Sequence, residues 1–163
     1  MVDPTSWLGR MLRRVGSTRF ARLVLGPRVL THLDRVLHRV TGGRMVVSDL
    51  LFDTLMLTTT GRRSGLPRTT PLARLDLDGT PVVIASNFGR ESHPAWSLNL
   101  LDDPDATVEV GGRVRPVRAR TLSPDEQARV WPQAIALWPG YQTYRETTDG
   151  VRDIRMFALE PRD

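Results

Sequence analysis

The chain contains no cysteine. That absence removes disulfides, thiolate zinc sites, iron–sulfur ligation and a cysteine nucleophile together. Lysine is absent as well, so all 23 basic residues are arginine, and no Walker-type phosphate loop exists. Neither a G-x-G-x-x-G fingerprint nor a G-x-S-x-G elbow occurs. The three histidines make no metal site: His32 and His38 lie six apart on a helical pattern, and His93 stands alone. No apolar run approaches the roughly 20 residues that span a bilayer. The first residues also lack the charged, apolar and small-residue succession of a secretory leader. The expected compartment is the cytoplasm.

What is present reads as a folded domain. The 163 residues are 40% hydrophobic and 25% charged, which suits one domain with its own core. The net charge is +5. Arginine offers planar, bidentate donors for phosphates and carboxylates, so an anionic partner is expected: a cofactor, a membrane surface or a nucleic acid. Nucleic acid is disfavoured, because the tryptophans sit among apolar residues rather than in basic, aromatic stacking surfaces.

Two regions differ in pattern. Residues 1–47 read as an amphipathic helical segment, with Val29, Leu30, Leu33, Val36, Leu37 and Val40 on one stripe between Pro27 and Gly42. Trp7, Leu8, Met11, Leu12 and Val15 repeat that spacing beside Arg10, Arg13 and Arg14. Such a stripe packs on its own domain or, being basic, lies on the inner face of the plasma membrane. Residues 48–163 read as β-rich. Thr54–Thr60 and Arg68–Leu77 flank a Gly/Pro loop as a hairpin, and Pro81–Ala85 is a short buried strand. Pro94–Leu101 is a short helix, and Thr107–Val110 with Val114–Arg120 forms a second hairpin. Ser123-Pro124-Asp125-Glu126 opens a helix running to about Leu137, a shorter one covers Tyr141–Thr147, and Ile154–Leu159 is a last strand. The expected fold class is α+β: about six mostly antiparallel strands, an N-terminal helix and short inserted helices, compatible with a small barrel.

Three clusters carry possible chemistry. At the first hairpin tip, Gly61 and Gly65 permit converging backbone N–H groups, with Arg62, Arg63, Ser64 and Arg68 beside them. These residues form either an anion cradle or an ordinary solvated turn. The second cluster is Ala85-Ser86-Asn87-Phe88-Gly89, followed by Trp96 and Asn99 three apart on one helical face. Its amides suit the carbonyl edge of a flat heterocycle, and Trp96 suits a core equally. The third holds Tyr141 and Tyr144, the only tyrosines, which share a helical face. A phenol there stabilises developing negative charge, or the pair simply packs.

Taken together, the stretches LTTTGRRSGLPRTTPL, ASNFGRESHPAWSLNLLDDP and WPGYQTYRETT resemble the deazaflavin-dependent nitroreductase family of actinobacteria, a branch of the split β-barrel flavin/deazaflavin oxidoreductases. The resemblance implies a six-stranded split barrel that binds coenzyme F420, a deazaflavin with a phosphate and a polyglutamate tail. It assigns Gly61, Arg62, Arg63, Ser64, Gly65 and Arg68 to that tail. Pro71, Leu72, Ala85, Ser86, Asn87, Phe88, Gly89, Trp96 and Asn99 would surround the ring. Tyr141 would orient the substrate or stabilise charge, with Tyr144 and Ser86 as further catalytic candidates. The implied activity is hydride transfer from reduced F420 to a quinone, nitroaromatic or activated alkene. FMN in place of F420 is the alternative cofactor, and a non-catalytic F420 carrier the alternative role. This chain departs from the family with Asn87 where lysine is frequent, Trp138 where tyrosine occurs, and Ile154-Arg155-Met156 where Ile-Pro-Val is usual.

Overall fold

A computed structural model describes residues 53–162. The amphipathic segment 1–47 lies outside the described residues. Seven antiparallel strands form one sheet: β1 (Thr54–Thr60), β2 (Pro67–Ala73), β3 (Leu75–Leu77), β4 (Thr80–Ile84), β5 (Asp105–Val110), β6 (Arg113–Thr121) and β7 (Met156–Pro161). Three helices are inserted: α1 (Ala95–Asp102), α2 (Pro124–Leu137) and α3 (Gly140–Thr148). A single 3-10 turn, Asn87–Gly89, follows β4.

The spatial order β2-β1-β5-β6-β7-β4-β3 places β2 and β3 at opposite edges. Only Arg74 separates them in sequence, so the chain turns a corner there and the sheet curls into an open barrel. The Arg74 N–H is held at 2.8 Å by the Asp53 carbonyl. This corner corrects the expectation of six strands. Arg68–Leu77 reads as one strand by local pattern, yet it divides at Arg74 between the two sheet edges.

Period-two alternation explains the two cores. Leu55 and Leu57 of β1, Val83 of β4, and Phe157 and Leu159 of β7 point into the barrel, where they meet Trp96 and Leu100 of α1. The intervening residues Val82, Ile84, Met156 and Ala158 face the other way and pack under α2 and α3 with Val130, Ala134 and Tyr141. Strands β4 and β7 are therefore apolar on both faces, which is why they read as continuous hydrophobic runs. Each fully buried leucine, valine or phenylalanine contributes on the order of 1.5–3 kcal/mol through area removed from water.

Helix α2 begins on a complete capping box. The Glu126 N–H donates to the Ser123 hydroxyl at 3.3 Å, and the Ser123 N–H donates to the Glu126 carboxylate at 2.8 Å. Arg120 of β6 donates to Glu126 and to Glu160 of β7, tying the helix start to two strands. Among the described residues, no helix is long and apolar enough to cross a membrane.

Candidate functional site

The β1–β2 hairpin tip is a tightly closed loop. The Gly61 N–H donates to the Leu66 carbonyl at 2.9 Å, and the Gly61 carbonyl accepts from both Ser64 and Gly65. The Ser64 hydroxyl accepts from the Leu66 N–H and the Arg68 guanidinium. Gly61 is buried, and a Cβ there would lie 2.8 Å from the Ser64 oxygen and 3.1 Å from the Leu66 carbonyl. Only glycine closes the loop this way.

Helix α1 braces that tip. Asn99 is 5% exposed; its side-chain oxygen accepts from the Arg62 N–H at 3.2 Å, and its amide donates to the buried Thr59 hydroxyl at 3.0 Å. Both ends of the Asn99 amide are thus committed to the hairpin. This long-range tie is invisible in sequence, where Asn99 reads as a ring contact.

Between tip and helix runs a groove of about 840 Å³. Gly61, Arg62, Arg63, Ser64 and Arg68 line one side and Trp96 and Asn99 the other, so seven candidates from two distant stretches meet here. Met56, Pro67, Thr69, Thr70 and Ala95 complete the lining. Sequence reasoning missed these five, because a strand residue with the right alternation carries no further local mark. Arg62, Arg63 and Arg68 are exposed, and among the described residues no carboxylate pairs with any of them. Arg74, Arg118, Arg120, Arg129 and Arg162 are all paired with acids. Gly65 and Pro71 do not line the groove. Leu72 and Ala85 instead join Trp96 in the barrel core.

The second cluster lies against α3. Ser86 is helical (φ −68°, ψ −31°), then Asn87 and Phe88 take φ of +47° and +56° in the left-handed region. The Phe88 ring stands edge-on to Tyr144 with centroids 6.3 Å apart. A Cβ on Gly89 would lie 2.7 Å from the Thr147 hydroxyl oxygen and 3.1 Å from the Tyr144 ring. Asn87 donates its side-chain amide to the Ser92 carbonyl at 2.7 Å, so that amide is committed within the loop.

An aromatic chain continues from there. Tyr144 contacts Tyr141 at 5.8 Å, Tyr141 contacts Trp131 at 6.4 Å, and Trp138 donates its indole N–H to the Tyr144 hydroxyl at 3.3 Å. Tyr144 is half-buried, and Tyr141 is 9% exposed within the α2–α3 core. Burial, reinforced by Tyr144, pushes the Tyr141 phenol far above its ordinary range. The Tyr141 hydroxyl therefore stays protonated at neutral pH.

One residue outside all three clusters holds the loop in place. Arg152 donates to the carbonyls of Ser86 (2.5 Å), Arg90 (2.8 Å) and Ala85 (3.1 Å). Desolvation, and then the charge of nearby Arg155, lower its pKa. Local sequence around Arg152 gives no hint of these contacts. His93 is also lowered, by desolvation and then by Arg155 and Arg152, which keeps the imidazole neutral at pH 7.

Comparison with known proteins matches this arrangement. A family model described as F420H(2)-dependent quinone reductase matches residues 30–161. The chain belongs to that family. It is an F420H2-dependent oxidoreductase, with quinones as the supported substrate class and coenzyme F420 as the cofactor. A Mycobacterium tuberculosis protein named provisionally as an F420H(2)-dependent quinone reductase is 34% identical over 67% of this chain and 90% of its own length. A second, named outright as an F420H(2)-dependent quinone reductase of the same organism, is 31% identical over 60% of this chain and 61% of its own. Among solved structures, the F420-H2 dependent reductase FDR-A superimposes with a TM-score of 0.59 at 35% identity, covering 66% of this chain and 94% of its own. A domain-swapped dimer gives 0.62 at 33% identity, covering 79% and 94%.

The groove fits the F420 cofactor of this family on its own chemistry. Three guanidinium groups with no carboxylate partner among the described residues suit a phosphate and a carboxylate tail. The wall of Met56, Ala95 and Trp96 suits a flat, largely apolar ring system.

Proposed function

We propose that F420 lies in the groove between the hairpin tip and α1, its anionic tail on Arg62, Arg63 and Arg68 and its ring toward the Trp96 wall. The observation that carries this reading is the trio of exposed arginines along one groove, with no acidic partner among the described residues. Gly61, Ser64 and Gly65 shape the tip, and Asn99 acts through it by accepting the Arg62 N–H. Ser86, Asn87, Phe88 and Gly89 border the ring and substrate end, Leu72 and Ala85 support the Trp96 wall from the barrel core, and Pro71 lies outside the groove lining. The functional unit is residues 48–163. The arginines among residues 1–47 suit peripheral contact with an anionic membrane surface.

Reduced F420 bound there would supply the hydride, and a quinone that accepted it would become a hydroquinone oxyanion that takes one proton from solvent. Tyr141 serves that oxygen as a hydrogen-bond donor rather than as an acid, because its pKa is raised far above the range in which proton transfer is efficient. Tyr144 and Ser86 orient the acceptor beside it. Nitroaromatics and activated alkenes share with quinones a flat, electron-poor centre, and we extend the substrate range to them.

The test is titration of the full chain with F420 and with FMN, each followed by fluorescence quenching, and then turnover of menadione by reduced F420. F420 binding that weakens about tenfold or more in the Arg62→Ala/Arg63→Ala/Arg68→Ala variant is expected, as for loss of charge-assisted hydrogen bonds. FMN binding without F420 binding rejects the reading. Tight F420 binding with no turnover of any acceptor class makes the chain a carrier instead.

A further inference from the structure

We propose that Arg152 is a positioning residue for hydride transfer: it holds the Ser86–Gly89 loop from behind, so that the loop presents backbone N–H groups to an oxygen bearing negative charge. The inference rests on the reading that this loop borders the bound cofactor and substrate.

Every peptide bond among the described residues is trans. In a trans peptide, a carbonyl and the N–H that follows it point in opposite directions. Arg152 draws the Ala85 and Ser86 carbonyls toward its guanidinium at 3.1 and 2.5 Å. The N–H groups of Ser86 and Asn87 are thereby turned away from Arg152, onto the opposite face. The Arg90 carbonyl, 2.8 Å from the same guanidinium, fixes the far end of the loop.

Backbone conformation works in the same direction. Ser86 is right-handed helical and Asn87 left-handed, with φ of −68° and +47°. That succession makes neighbouring N–H groups converge on one concavity that favours anions. A non-glycine residue at positive φ is costly, and two in succession persist only when their surroundings over-determine them. Three guanidinium contacts on one side, and the Gly89 contact with Tyr144 and Thr147 of α3 on the other, supply that constraint. The Asn87 side chain is occupied by Ser92, so the loop offers main chain rather than side chain. Arginine suits this task better than lysine, since its planar fork reaches several carbonyls at once.

The ligand atom is an oxygen carrying negative charge. Two sources offer one: a carbonyl edge of the bound cofactor, or the quinone oxygen as hydride arrives. The experiment compares the wild-type chain with Arg152→Ala and Arg152→Lys. It reads the F420 dissociation constant by fluorescence quenching without substrate, then kcat and KM for menadione, each with and without low concentrations of free guanidinium. If the loop serves the cofactor, Arg152→Ala weakens F420 binding by about tenfold or more. If it serves the quinone, F420 binding holds while kcat falls by about the same factor. In either case guanidinium restores part of the loss in Arg152→Ala, and Arg152→Lys stays impaired.

A folded Arg152→Ala chain with both quantities within about twofold of wild type overturns the proposal, as does a loss that guanidinium leaves untouched. If Arg152→Ala does not fold, Asn87→Val keeps the arginine but places a β-branched residue where φ is positive. The same loss is expected there, and unchanged binding and kcat in folded Asn87→Val overturn the proposal. Wild-type chain that fails to bind F420 instead defeats the underlying cofactor reading.

Discussion

At the residue scale, Tyr141 illustrates how burial decides a role. Its phenol is held protonated well beyond the ordinary value near 10, chiefly by desolvation. A hydrogen-bond donor of that kind stays in its working state across the neutral range. Tyr141→Phe should therefore lower menadione kcat with little change in F420 affinity, and the loss should be constant from about pH 6 to pH 9. The linkage sign gives a second readout. The unfolded phenol ionises near 10 while the folded one keeps its proton, so the unfolded state binds fewer protons at high pH. Stability falls as pH rises above 10, and Tyr141→Phe removes that part of the alkaline loss. A kcat ratio that changes steeply between pH 6 and 9 would count against the donor role. The types of these residues were legible in sequence; their partners were not. Asn99 bonds residues 37 and 40 positions away, and Arg152 reaches 62 to 67 positions back, distances over which no periodicity operates.

Elements were legible where local chemistry alone determines them. The Thr54–Thr60 hairpin, α1 and the start of α2 follow from turn residues, spacing and a capping box. The division of Arg68–Leu77 at Arg74 does not, since both halves keep a strand pattern and only the curl of the sheet separates them. The α2 capping box carries a prediction of its own. Glu126 accepts from Arg120 and from the Ser123 N–H, which lower its pKa from 4.5 to about 2. A depressed carboxyl contributes stability above its unfolded pKa and loses it as pH falls toward the folded one. Glu126→Gln should thus melt below wild type at neutral pH, with the difference closing between about pH 4.5 and pH 2. A gap of constant size down to pH 2 would assign the effect to packing rather than to charge. The contribution is modest, as the group is exposed and salt-screened.

For the whole molecule, the +5 charge matters less than where it stays unbalanced. Arg74, Arg118, Arg120, Arg129 and Arg162 are matched with carboxylates, as in the Arg118–Asp105–Arg162 and Arg129–Asp78 pairs. The three at the hairpin tip have no carboxylate partner among the described residues and line one groove, so their positive charges add there. Exposed charges of this kind act through water and are screened over roughly 10 Å at 0.1 M salt. Affinity for F420, an anion, should fall as salt rises, whereas KM for menadione, a neutral quinone, should not. The Arg62→Ala/Arg63→Ala/Arg68→Ala variant should flatten the salt dependence of F420 binding as well as weaken it. A thermal shift supplies an independent scale: a saturating ligand at 100 times its dissociation constant stabilises the fold by about 2.7 kcal/mol. The shift at fixed F420 should shrink with salt in the wild type and change little in the triple variant. Equal salt slopes for both proteins would place the anionic tail elsewhere on the molecule and leave the tip as a decorated turn.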